Sequence, residues 1–392
     1  MRAFVDNDQY GWMPQVEYSY KDGKVFVGGE VRLHRSLHWG RIESGTGLPE
    51  NVVGEKGNRH FYEYSGGKNI YSIFFSFQRN INGNLNINAK VQTMYQEYRL
   101  YNEKYVGTDF TTPYLFVNPQ IGLNYSINEN ASVYTSVSFT RREPPLKNLY
   151  EAESASWGVT PQFEKDADGS YNFHNPLVKP ESLLNFEVGT RFAFKRLNFS
   201  LNFYLMNFEN EIVPSGGLDV FGQPRVGNAG RTRHIGIEFE GIYQLPLNFN
   251  FSFNGNFSRN RYLEFIEYSS SGNTFSRNGN FIANAPEIIL NAGLNFIANS
   301  FFASLNVNYT GTQFTDNSMN PDLIKIDEVT VDPFTVVNFT TGINHKIFGS
   351  NIKLIIELNN LFDTKYLMNG FGWDNFFPAA GRNINTTLKF EL

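Results

Sequence analysis

The sequence predicts an all-β protein, a transmembrane antiparallel β-barrel, and three observations carry that expectation. Apolar and polar residues alternate with a period of two along many segments. Those segments are long, and the connections between them alternate between short turns and long polar loops. Composition agrees: the 392 residues are 16% aromatic, with 38 Phe and 21 Tyr, and only 18% charged.

Successive side chains of a strand point to opposite faces, so alternation writes one oily and one wet side. From the N-terminus, strands are expected near 12–20, 24–35 and 69–79. Leu85, Ile87, Ala89 and Val91 then alternate with Asn84, Asn86, Asn88 and Lys90. Ile121, Leu123, Tyr125 and Ile127 alternate with Gln120, Gly122, Asn124 and Ser126, and Val133, Thr135, Val137 and Phe139 alternate mostly with serines. Segments 183–195, 197–213 and 231–244 follow. The clearest ribbon is 247–258, where Leu247, Phe249, Phe251, Phe253, Gly255 and Phe257 face away from Asn248, Asn250, Ser252, Asn254, Asn256 and Ser258. Segments 284–297, 301–314, 333–346, 351–361 and 382–392 complete about 15 strands. No long amphipathic helix is expected.

Several segments exceed the roughly 5 to 6 residues of ordinary soluble strands and suit the roughly 9 to 11 that a tilted membrane strand needs. Short connections fall at 21–23, 80–83, 128–130, 195–196, 245–246, 299–300 and 348–350. Long ones fall at 36–68, 100–112, 141–182, 211–231, 263–283, 315–332 and 362–380. Short turns at one rim and long loops at the other is the plan of outer-membrane barrels, with the long loops outside. On this parity the last strand descends to Leu392, and Met1 to Gly11 is expected in an outer loop. The ending Thr387-Leu388-Lys389-Phe390-Glu391-Leu392 suits a terminal barrel strand, although its last residue is not aromatic.

Composition also excludes functions. With no cysteine there is no disulfide framework, thiolate metal site or cysteine nucleophile. A net charge of −5 offers no basic excess for nucleic acid, so none is expected as a partner. No run of about 18 apolar residues could form a membrane-spanning helix. The opening residues MRAFVDNDQYGWMP carry no export signal. An odd count of strands that begins in a loop is expected of a barrel whose first part precedes the chain, since bacterial barrels close with even numbers.

Four stretches resemble TonB-dependent outer-membrane receptors. They are Arg142-Glu143-Pro144-Pro145-Leu146 with Leu149-Tyr150; Asn175-Pro176-Leu177-Val178-Lys179-Pro180-Glu181; Asn228-Ala229-Gly230 followed by Gly236-Ile237-Glu238; and Asn359-Asn360-Leu361-Phe362-Asp363-Thr364-Lys365-Tyr366, with Ala380-Gly381-Arg382-Asn383 leading into the last strand. The resemblance runs from about residue 130 to the end. It implies that residues 1–392 are the C-terminal part of one barrel domain, about 15 strands of an expected 22, with the first strands, the N-terminal plug and the TonB-contacting box lying before them. It further implies a bacterial outer-membrane receptor for an iron chelate such as a siderophore. Its partners would be outer-membrane lipid, the chelate, its own plug and TonB. A glycan or haem importer of the same family and a passive porin-like barrel remain alternatives. A soluble all-β carbohydrate binder would instead need both sheet faces covered by protein.

Recognition rather than catalysis is therefore the chemistry to seek, and no enzyme motif is present. The longest outer loop offers Arg141, Arg142, Tyr150, Trp157, Tyr171 and His174, and the last outer loop Trp373. Arginine suits anionic chelates and aromatic rings supply flat contact area. The same residues equally suit loop anchoring or an interface belt. Glu238 and Glu240, two apart on a strand, share one face and are expected to line the lumen toward the plug. No cofactor or metal site is expected. The six histidines show no ligand spacing, and Asp166-Ala167-Asp168-Gly169 lacks the downstream oxygens of a calcium loop.

Overall fold

The computed structural model describes residues 2–47, 60–218, 224–268, 274–318, 329–347, 350–372 and 374–391. It is an antiparallel β-barrel wall, a single 16-stranded sheet with small loop-side hairpins. The sheet strands are β1 (Arg2–Trp12), β2 (Gln15–Tyr20), β3 (Gly23–Arg41), β4 (His60–Ile81), β5 (Leu85–Tyr101), β6 (Phe110–Asn128), β7 (Ala131–Arg142) and β8 (Glu181–Ala193). They continue with β9 (Leu197–Leu218), β10 (Pro224–Gln244), β11 (Phe249–Glu264), β12 (Ile288–Ala298), β13 (Phe301–Thr310), β14 (Phe334–Ile347), β15 (Ser350–Asn359) and β16 (Asn383–Glu391). From β2 onward each pairs with its neighbours in sequence order, as an up-and-down wall requires.

The first two strands share one position. β1 pairs with the loop-side half of β3, Arg2 opposite Arg41 and Trp12 opposite Val31, while β2 pairs with the other half, Gln15 opposite Gly28. Pro14 interrupts them because it has no N–H to give the ladder, yet its carbonyl still accepts from Gly29 N at 3.0 Å. This corrects the expectation that Met1 to Gly11 forms an outer loop. Arg2–Trp12 lacks clean alternation, but its backbone completes the upper half of β3.

The two faces differ as the period foretells. On the outward face aromatic rings form a ladder: Phe239 lies 6.2 Å from Phe253 and 6.1 Å from Phe257, and Phe199 lies 6.2 Å from Phe253. Gly241 makes room for it, since a Cβ there would stand 2.4 Å from the Phe253 ring. On the inner face asparagines hydrogen-bond across four strands and on to the residue that follows β15. Asn291 donates to Asn254 at 2.8 Å, Asn308 to Asn291 at 2.6 Å, Asn338 to Asn308 at 3.3 Å, and the Asn360 amide to Asn338 at 2.9 Å.

Both strand ends follow local chemistry. The turn between β4 and β5 closes on Asn82 and Gly83 at φ 53° and 75°, the left-handed pair that matches the twist of a tight hairpin. At the other rim β4, β5 and β6 run well past the expected boundaries. There they pack on a fold-back of the 142–181 connection, which contains a helical turn at Leu146–Leu149, a 3-10 turn at Ala152–Trp157 and a hairpin of Phe163–Lys165 with Tyr171–Pro176. Tyr62, Tyr64, Leu100 and Phe110 of the wall bury with Leu149, Tyr150, Ala152, Ala155 and Phe163 of the connection.

Candidate functional site

The inner face between β7 and β11 carries a polar wall. Ser200 Oγ donates to Glu240 Oε1 at 3.1 Å, and Glu238 accepts from Asn202 and Asn256, each at 3.4 Å. Tyr134 OH donates to Asn202 Oδ1 at 3.1 Å, and the Arg191 guanidinium lies over the Tyr134 ring at 5.1 Å. Register places these groups side by side, because Ser200 opposes Glu240, Asn202 opposes Glu238, and Gly189 opposes both Tyr134 and Asn202. Gly189 is required there: a Cβ would meet the Tyr134 ring at 2.4 Å. Two hollows result, one of about 610 Å³ toward the short turns and one of about 500 Å³ above it. Arg191, Glu240 and Asn254 line both. The wall can offer one guanidinium, carboxylates and amides to a hydrated polar surface. Glu238 and Glu240, singled out from the sequence, share this face with Arg191, Tyr134 and Glu187, which were not; carrying the same parity onto neighbouring strands reaches them.

The four family-like stretches build clasps at the loop-side rim. Glu143 enters the wall, where Lys68 and Gln96 donate to its carboxylate and Tyr98 OH approaches at 3.4 Å. Arg142 pairs with Glu181 at 3.2 Å, joining the two stems of the longest connection, and Glu181 also accepts the Ile212 amide at 2.9 Å. Asn228 accepts from Lys179 N at 2.7 Å and donates to Lys179 O at 3.1 Å, so two of the stretches hold each other. Near the end Asn360, at φ 51°, donates to the carbonyls of Thr364 and Ala380, while Asp363 accepts the Arg382 amide at 2.8 Å. That amide, and then Lys365, hold the Asp363 carboxyl below its ordinary range. Gly381 is needed beside it, since a Cβ would stand 2.9 Å from Asp363 Oδ1.

The clasps and the folded connection fix where the expected ligand residues stand. Tyr150 is a correction: it is only 2% exposed, sealed in the cluster under the 142–181 connection, and burial pushes its hydroxyl up. A side chain packed that way holds the loop down and cannot meet a solute. Arg142 likewise ties stem to stem. Arg141 stacks its guanidinium over Phe116 at 5.4 Å, and Tyr171 packs half-buried on Phe173 with Lys165 over its ring. Trp157, 63% exposed, and His174 stand at the surface of the connection. Trp373 lies outside the described residues. The Asp166–Gly169 stretch is a tight turn, with Asp168 accepting from Ser170 N and Oγ; those bonds lower its carboxyl. Among the described residues no group of three or more His, Cys, Asp or Glu is placed to hold a metal.

An aromatic outward coat, a polar inner wall and rim clasps that tie long loops to it define the wall of a membrane-spanning receptor barrel. Residues 2–361 match the family model described as TonB dependent receptor-like, beta-barrel, and the chain belongs to that family of outer-membrane barrels. Three solved structures share the fold. The ferric citrate transporter FecA in its unliganded form aligns at TM-score 0.72 and 16% identity over 100% of this chain and 55% of that one. The siderophore receptor PiuA from Acinetobacter baumannii aligns at 0.71 and 15%, over 98% and 56%. The copper transporter OprC aligns at 0.74 and 15%, over 100% and 57%. The chain thus spans little more than half the length of the structures it matches. The family and these neighbours are receptors and transporters rather than enzymes.

Proposed function

We propose that this chain forms the barrel wall of a bacterial outer-membrane receptor that takes up an iron chelate such as a siderophore, working with a plug and TonB. The observation that carries the reading is the inner wall at β7–β11, where Arg191 stands among amides and carboxylates around open hollows. Such a wall can pair by hydrogen bonds with a hydrated plug and pass a polar solute. Support comes from the ferric citrate and siderophore proteins among the fold neighbours. A strain lacking the gene is expected to grow poorly when ferric siderophores are the sole iron source and normally on free ferrous iron. Unimpaired growth on every ferric chelate tested would overturn the iron reading.

One observation favours a second reading, a glycan importer. The inner-face positions of β11 from Asn250 to Asn260, and their partners Asn291, Gly293, Asn295, Ser304, Asn306 and Asn308, carry no charge. Amides suit the hydroxyls of a neutral solute. A growth defect confined to an oligosaccharide carbon source would select this reading instead.

A further inference from the structure

The outward apolar coat stops abruptly at the loop-side rim of β10 and β11. Rising from the short turn, the outward positions of β10 are Tyr243, Gly241, Phe239, Ile237 and Ile235, followed by Arg233 and Arg231. Those of β11 are Phe249, Phe251, Phe253, Gly255 and Phe257, followed by Arg259 and Arg261. Register sets Ile235 opposite Arg259, and Arg233 opposite Arg261. Arg233 lies ten residues from Tyr243, which is about 34 Å of strand. With a tilt of roughly 40° this rises about 26 Å, close to the height of the apolar band in such barrels. The arginines therefore stand where hydrocarbon gives way to lipid headgroups.

Their charges are unevenly compensated. Arg231 pairs with Glu264 at 2.5 Å, and Arg261 has Glu287 at 3.5 Å and the face of Phe281. Among the described residues Arg233 bonds only a neutral group, Asn207 Oδ1 at 2.8 Å, and Arg259 is exposed with no ion pair or hydrogen bond. Like charges on facing strands destabilise a sheet unless an anion lies between them. A guanidinium fork matches phosphate oxygens two at a time, and its weak hydration suits the edge of a membrane.

We infer that Arg233 and Arg259, flanked by Arg231 and Arg261, grip the phosphate of an anionic lipid headgroup at the loop-side surface of the membrane. Ile235 and Phe257 directly below offer the matching apolar contact for its acyl chain. The inference rests on the membrane-spanning reading, and the two are tested separately.

The test uses the full 392-residue chain in detergent, with bound lipid counted by native mass spectrometry. The probes are a phosphorylated glycolipid, its enzymatically dephosphorylated form and inorganic phosphate. The chain is expected to hold the phosphorylated lipid roughly tenfold more tightly than the dephosphorylated one, the scale of one charge-assisted contact. R233Q/R259Q should lose that preference, while Lys195→Gln at the opposite rim should keep it. Equal binding of the two lipids, or a preference that survives R233Q/R259Q, overturns the site. Displacement of the lipid by inorganic phosphate at equal concentration overturns it too, by assigning the arginines to soluble phosphate. Flotation with phosphatidylcholine vesicles reads the underlying premise: a chain that fails to float defeats the membrane reading, whereas one that floats without lipid preference defeats the lipid site alone.

Discussion

Glu143 shows how a residue legible as a motif acquires a physical role only in three dimensions. Its carboxylate sits among Lys68, Gln96 and Tyr98 of strands far away in sequence, and the alternation of β4 and β5 gives no sign that it arrives there. Tyr150 fails as a ligand residue for the same reason: the aromatic content of a loop is visible in sequence, while its fold-back onto Tyr64 and Leu100 is a long-range packing event. Removing one partner of a largely buried pair leaves the other charge stranded. Glu143→Gln is therefore expected to destabilise the chain by about 2 to 4 kcal/mol, read as a lower midpoint of unfolding in detergent. Trp157→Ala, at the exposed surface, should leave that midpoint in place. Asp363 makes a prediction in pH. Its carboxyl is depressed in the folded chain by the Arg382 amide, so its stabilising contribution is present above the unfolded pKa and is lost as pH falls through the lower, folded one. Amide exchange at Arg382, corrected for intrinsic rate, should stay slow as pH falls through about 3.9, the ordinary aspartate value, and quicken only at lower pH. Quickening well above that value would contradict the tie.

Strands were legible wherever one face is apolar and the other polar, because successive side chains of a strand point to opposite faces and the sequence then alternates with a period of two. Phe249–Phe257 and Leu85–Val91 are of this kind. Beyond the apolar band both faces of β3, β4 and β5 are wetted or covered by loop, the selection for alternation lapses, and the strands ran longer than the sequence indicated. β1 is the extreme case, a strand recognisable only through its partner β3. Strand ends had local causes that sequence carries better: Asn360 in the left-handed region stops β15, and Asn82-Gly83 turns the chain after β4. The face assignment itself can be tested on β11. Phe253 lies at the middle of the outward band, so Phe253→Arg is expected to cost about 2 to 4 kcal/mol in a bilayer. Asn254→Arg, one residue on and facing the inner hollows, should cost far less. Comparable losses for both, measured by denaturant unfolding from vesicles, would mean that the two faces are not lipid and water.

At the scale of the whole molecule the wall is asymmetric in a way no single strand reveals. The 142–181 connection folds across the loop-side ends of β4, β5 and β6, where Gln96, Thr112 and Phe116 are buried, and leaves the β8–β11 sector with open hollows. The count of about 15 lateral positions and the rim alternation were legible because each strand and turn is local. The covering of one sector was not, since it depends on where a long loop lands, and loop closure over such distances leaves no periodic trace. Under the uptake reading proposed above, a solute passing along the inner face would meet the open Arg191–Asn254 side. The absence of cysteine from the sequence makes the claim measurable without background. Single cysteines placed at Asn254 and at Tyr114, one in the hollows and one under the fold-back, should react with a water-soluble maleimide at very different rates. Asn254→Cys is expected to label quickly and Tyr114→Cys slowly. Adding Glu143→Gln to the second should speed its labelling, because releasing that carboxylate loosens the strap over β4 to β6. Fast labelling of Tyr114→Cys with Glu143 intact would show that the connection does not stay folded against the wall, and the solute path would then have no preferred side.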